Sequence, residues 1–101
     1  MFRSALTMAG FDVREAADGY DALVLLEEGA TDLVVLDLRL PRVGGLDVLA
    51  EMLSRDMNVP VVVVTASPGD LSHLPVECVL KKPVPPEDLV ATVNRCLAKG
   101  R

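Results

Sequence analysis

The chain has no tryptophan and only one tyrosine and two phenylalanines among its 101 residues. Its core must therefore be aliphatic, and a nucleic-acid surface of stacking rings set among basic side chains has little to draw on. Cysteine is scarce as well. Cys78 and Cys96 form no C-x-x-C pair and no disulfide framework, so a reducing compartment is expected and a thiolate metal site is not. His73 is the only histidine, which leaves no imidazole partner for catalysis or metal binding. No apolar run approaches the ~18 residues that span a bilayer, and Met1-Phe2-Arg3-Ser4 lacks the start of a signal peptide. These absences point to a soluble cytoplasmic protein with no membrane association.

What is present is aliphatic. Half of the residues are apolar, enough for one domain over residues 1–101 that buries about two-thirds of its unfolded surface. The net charge of −5 is uneven: eight acids and two bases lie in the first 37 residues, against seven acids and eight bases in the rest. An acidic half without a basic cluster argues against direct nucleic-acid binding by this chain. It suits cations or basic partners better.

Leu33-Val34-Val35-Leu36 and Val61-Val62-Val63-Val64 are short, nearly continuous apolar runs without alternation. Both read as parallel strands covered on two faces. Cys78-Val79-Leu80 reads as a third strand, and residues 11–16, closed by the Asp18-Gly19 turn, as a weaker fourth. Helical spacing appears between them: residues 20–28 stop at Gly29, and Leu46, Leu49, Met52 and Leu53 recur on one face. Leu89, Val90, Val93 and Leu97 repeat the pattern, after Pro85-Pro86-Glu87-Asp88 and before a basic end at Lys99. Residues 2–9 make two helical turns before Gly10. Residues 67–75 are the least patterned and are expected to form a loop. The alternation implies a parallel sheet between helices, an α/β fold.

In such folds sites form beyond the carboxyl ends of the strands. The first strong run ends in Asp37, the second in Thr65 and the third in Lys81-Lys82-Pro83. A carboxylate placed there costs stability unless it is solvated, paired or metal-bound. The trio suits phosphoryl chemistry: a carboxylate can form an acyl phosphate, and an ammonium and a hydroxyl can meet the phosphoryl oxygens. Gly44-Gly45 lets the following loop fold back closely over the site.

Taken in order, Ala17-Asp18-Gly19-Tyr20-Asp21-Ala22-Leu23, Asp32-Leu33-Val34-Val35-Leu36-Asp37-Leu38-Arg39-Leu40-Pro41, Gly45-Leu46, Pro60-Val61-Val62-Val63-Val64-Thr65-Ala66 and Lys82-Pro83 resemble the receiver domain of bacterial two-component response regulators. The resemblance implies the flavodoxin-like, CheY-like sheet with helices on both faces. It makes Asp37 the phosphoacceptor for a sensor histidine kinase or phosphotransfer protein, Thr65 the switch hydroxyl and Lys82 the phosphate-contacting lysine, with Lys82-Pro83 a candidate cis peptide. It also implies a signalling switch without a turnover substrate, using Mg²⁺ held by Asp37, the Arg39 backbone carbonyl and an acidic pair.

That acidic pair belongs to a first strand absent from these 101 residues. Weak Mg²⁺ binding and slow or absent phosphorylation are therefore expected. In the family the strand lies between those corresponding to residues 11–16 and 33–36. Either these two pair directly, or a second copy completes the sheet as a homodimer, or the chain is a shortened version of a longer product. The stretch from Thr65 to Lys82 is also short, and Val79 stands where receivers often carry an aromatic.

Two other functions compete. One is a degenerate receiver-like interaction or dimerisation module that acts without phosphorylation. The other is a haloacid dehalogenase-like phosphatase, which needs a second acid where this chain has Arg39. Plainer roles also exist for single residues. Asp18 shapes a turn or replaces a metal ligand, Thr65 satisfies a backbone group, and Cys96 packs near the core.

Overall fold

The β-branched runs do form a parallel sheet. The computed structural model describes residues 3–38, 44–66, 76 and 78–99. In chain order these contain helices α1 (Arg3–Met8) and α2 (Gly19–Glu27), strand β1 (Val34–Asp37), helix α3 (Gly45–Ser54), strands β2 (Val61–Thr65) and β3 (Cys78–Lys81), and helix α4 (Pro86–Lys99). The sheet order is β1-β2-β3, with Val34 opposite Val61 and Thr65 opposite Lys81. The central strand β2 is buried along its whole length. That explains its unbroken valines, since neither face needs a polar side chain.

Side chains alternate across a strand, and β2 divides the core accordingly. Val61 and Val63 join Leu26 of α2, Leu36 of β1 and Val48, Leu49 and Met52 of α3. Val62 and Val64 join Leu6 of α1 and Leu89, Val93 and Cys96 of α4 on the opposite face. The sheet is therefore sandwiched, as the alternation of elements predicts.

Helix ends follow from local chemistry. The Asp18 carboxylate accepts a 2.9 Å hydrogen bond from the Asp21 backbone N–H and caps α2. This is the turn-shaping role, and it commits one carboxylate oxygen to the helix start. Gly10 and Gly29 take left-handed φ angles of 98° and 80° after α1 and α2, as expected for residues that reverse the chain there. Asp56 does the same after α3 with φ of 53°, closed by a 2.9 Å bond from Met57 N–H to the Met52 carbonyl. A non-glycine in that role carries no clear sequence signal.

One expectation fails. Residues 11–16 form no strand: β1 pairs with β2 alone, and the sheet among the described residues has three strands. Direct pairing of residues 11–16 with β1 is thereby overturned. Phe11 and Val13 still pack against the same apolar cluster as Leu33 and Val35. Apolar alternation brought the segment to the core, but a strand also needs a neighbouring ladder, and none is within reach. Residues 67–75, including His73, lie outside the described residues, as do Arg39 and the rest of 39–43. No helix among the described residues is long and apolar enough to cross a membrane.

Adjacent positions on α3 test the placement of the core. Of the four residues expected on one apolar face, Leu49 and Met52 are buried, Met52 at 2% exposure, whereas Leu46 and Leu53 are 52% and 54% exposed and Val48 packs into the core instead. Met52→Ala is expected to cost about 2–5 kcal/mol in chemical denaturation, and Leu53→Ala no more than about 0.5 kcal/mol.

Candidate functional site

Parallel strands in register bring their carboxyl ends to one sheet edge. Asp37 lies opposite Val64 at the end of β1, and Thr65 opposite Lys81 at the end of β2. Lys82 follows β3 directly, its backbone N–H bonded to the Thr65 carbonyl at 2.8 Å. That bond sets where the lysine side chain starts. Asp37 ends one outer strand and Lys82 follows the other, the two strands being separated by two ladder spacings or roughly 10 Å. The lysine crosses the end of β2 to close this distance, and its Nζ donates to Asp37 Oδ2 at 2.7 Å. The three residues singled out from the sequence thus meet at one edge. Thr65, fully buried, lies on the strand beneath the pair.

The ion pair is partly open to water, with the two side chains 25% and 37% exposed. A pair so placed is screened and adds about 1 kcal/mol or less to stability. Its significance lies elsewhere: an accessible carboxylate oxygen is held beside a fixed positive charge. The Lys82-Pro83 peptide is cis, as the resemblance implies.

Gly45, the first residue of α3, holds the opposite wall of the site. A Cβ at this position would lie 2.6 Å from both the Asp37 carbonyl oxygen and the Leu38 Cα. Only glycine lets the α3 start approach the Asp37 backbone so closely. The close approach is made by Gly45, since a Cβ on Gly44 would meet only Asp47 Oδ2, at 3.8 Å.

The residues described do not build a magnesium site. No three His, Cys, Asp or Glu side chains come together among them in a metal-holding group. Asp37 already meets an ammonium, Asp18 is engaged in its helix cap, and the Arg39 carbonyl falls outside the described residues. Mg²⁺ favours octahedral oxygen ligation. One ion-paired carboxylate does not supply it.

Comparison with known proteins agrees with the fold. The family model described as the response regulator receiver domain matches residues 1–94. The transcriptional regulatory protein CpxR of Klebsiella pneumoniae is 34% identical over 99% of this chain and 44% of its own length. The DNA-binding response regulator MtrA of Mycobacterium leprae is 35% identical over 99% of this chain and 46% of its own. The chain thus spans less than half the length of these curated relatives. Among solved structures, the Francisella response regulator 1452 receiver domain superposes with a TM-score of 0.91 at 23% identity, covering 99% of this chain and 87% of that one. The signal receiver domain of the Luxo repressor protein from Vibrio parahaemolyticus gives 0.88 at 25% identity, covering 98% and 80%.

The close approach of α3 makes Gly45 a sensitive position. Gly45→Ala is expected to destabilise the fold by about 2–3 kcal/mol, because the atoms it meets are mainly backbone and cannot swing aside. Thermal or urea denaturation measures it, and a loss below about 0.5 kcal/mol would contradict the geometry.

Proposed function

The chain belongs to the response regulator receiver domain family, and on that premise we propose that it takes a phosphoryl group onto Asp37 from a sensor histidine kinase or phosphotransfer protein and signals by protein contacts. It turns over no substrate of its own, and a cytoplasmic location goes with such partners. The observation that carries this reading is the 2.7 Å pair between Lys82 Nζ and Asp37 Oδ2, reached across two strands at the sheet edge.

In the transfer, an Asp37 carboxylate oxygen attacks the phosphorus of a phosphohistidine. The new O–P bond forms as the P–N bond breaks, and the imidazole departs with its nitrogen electron pair and takes up a proton from solvent. The product is an acyl phosphate. Lys82 then faces phosphoryl oxygens that carry more negative charge than the carboxylate they replace, so the ammonium follows them. Thr65 offers a hydroxyl at the end of the intervening strand. Receivers use Mg²⁺ in this chemistry, and the thin donor set around Asp37 supports slow transfer.

A second reading is favoured by two observations. Among the described residues no three metal-ligating side chains cluster, and β1 is an edge strand beside a position where the family has another strand. A phosphate-independent interaction module, completed by a strand from a second copy, accounts for both.

Incubation with acetyl phosphate and millimolar Mg²⁺, followed by intact mass measurement, separates the two. The expected result is an adduct of one phosphoryl group that is lost in Asp37→Asn and forms roughly tenfold or more slowly in Lys82→Ala. Absence of any adduct sinks phosphorylation for this chain and leaves the interaction module. A sedimentation profile that stays monomeric at all concentrations would then remove strand completion.

A further inference from the structure

The two cysteines, 18 positions apart in sequence, meet in space. Cys78 opens the edge strand β3, and Cys96 lies in the third turn of α4. Their sulfurs are 3.5 Å apart, with one thiol donating to the other. Cys78 is half-buried, whereas Cys96 is 2% exposed and belongs to the apolar cluster on that face. The Arg95 guanidinium also donates to Cys78 Sγ, at 3.7 Å. The pair is remote from the chemistry in role: neither sulfur contributes to the Asp37 and Lys82 contact, and nothing in the proposed phosphotransfer uses it.

We propose that Cys78 and Cys96 form a reversible disulfide under oxidising conditions, a modification site that ties β3 to α4. The position favours it. Two sulfurs at van der Waals contact need only a small closing movement to reach bonding distance, about 2.05 Å. The two are also unequally accessible, which sets the order of events. The Cys78 thiolate attacks one sulfur of a low-molecular-weight disulfide such as oxidised glutathione, and the first glutathione thiolate leaves. The Cys96 thiolate then attacks the Cys78 sulfur of that mixed disulfide, and the second glutathione leaves. One S–S bond has formed and one has been cleaved. The two thiol protons end on the two glutathiones, and the two electrons lost by the cysteine pair reduce the oxidant.

The bond would have a mechanical consequence. Among the described residues β3 is an edge strand, laddered to β2 alone, and Lys82 follows it immediately. Closing the loop between Cys78 and Cys96 removes freedom from the unfolded chain and fastens the outer strand to the helix beneath it. The oxidised form is therefore expected to melt higher, by on the order of 10 °C.

The test is to treat the native protein with oxidised glutathione, quench with acid and measure intact mass, thiol titre and Tm. The expected product is a monomer lighter by two hydrogen atoms, without titratable thiols, melting higher and returned to its starting mass and Tm by dithiothreitol. Cys96→Ser should stop at a stable glutathione adduct on Cys78, because the resolving sulfur is gone. Cys78→Ser, which keeps only the buried sulfur, should react at least tenfold more slowly. Retention of both thiols in the wild-type protein would overturn the proposal, as would accumulation of a glutathione adduct or a disulfide-linked dimer in place of the internal bond. A wild-type product that forms only above the melting temperature would overturn it equally.

Discussion

Everything at the carboxyl edge of the sheet depends on a lysine just beyond one outer strand reaching a carboxylate on the other. For the 2.7 Å contact between Lys82 and Asp37 to exist, β1, β2 and β3 must run parallel, in register, and end together. The lysine side chain must also start where it can cross the end of the middle strand. The valine run of β2 meets the first demand by burying both faces of the strand. The backbone bond from Lys82 N–H to the Thr65 carbonyl meets the second by fixing where the crossing begins. Gly45 closes the remaining side, bringing α3 against the Asp37 backbone. The pair adds little stability itself, being partly hydrated. The fold is arranged around it rather than held together by it.

The opposite flank of β1 is built differently. There the backbone edge has no ladder among the described residues, although residues 11–16 supply apolar side chains to the adjoining cluster. Side-chain burial and backbone pairing are separable contributions, and this segment has the first without the second. Phe11 N–H bonds the Leu6 carbonyl at 3.1 Å at the end of α1, and the exposed Arg14 to Glu28 bridge of 2.9 Å is of the weak surface kind. An open edge of this type is a natural place for another strand to add. The receiver family has a strand at that position, which also carries the acids of its metal site.

Much of this was legible in the sequence because β-branched runs, turn glycines and helical spacing each report a local constraint. The parallel strands ending at Asp37, Thr65 and Lys81, the cap at Asp18 and the glycine at the start of α3 all follow from neighbours within a few residues. The failures lie where the outcome depends on something distant or absent. Residues 11–16 have strand character, yet a strand is a property of two segments, and their partner is not in the sheet. Asp56 reverses the chain after α3 without the glycine that marks such a position. Cys78 and Cys96 look unrelated at 18 residues' separation, because only the packing of α4 on β3 makes them neighbours. Taken alone, Cys96 reads as ordinary core packing, which is correct and incomplete.

The assignment of the sheet edge rests on the carboxylate of one residue. Its most direct test is to expose the protein to a phosphodonor, reduce the product with sodium borohydride and map the modified peptide. Borohydride converts an aspartyl phosphate to homoserine and leaves an ordinary carboxylate unchanged. Homoserine at position 37 and at no other acidic residue is the expected result. Homoserine at another position, or none after exposure to a phosphodonor that labels a competent receiver under the same conditions, would contradict it.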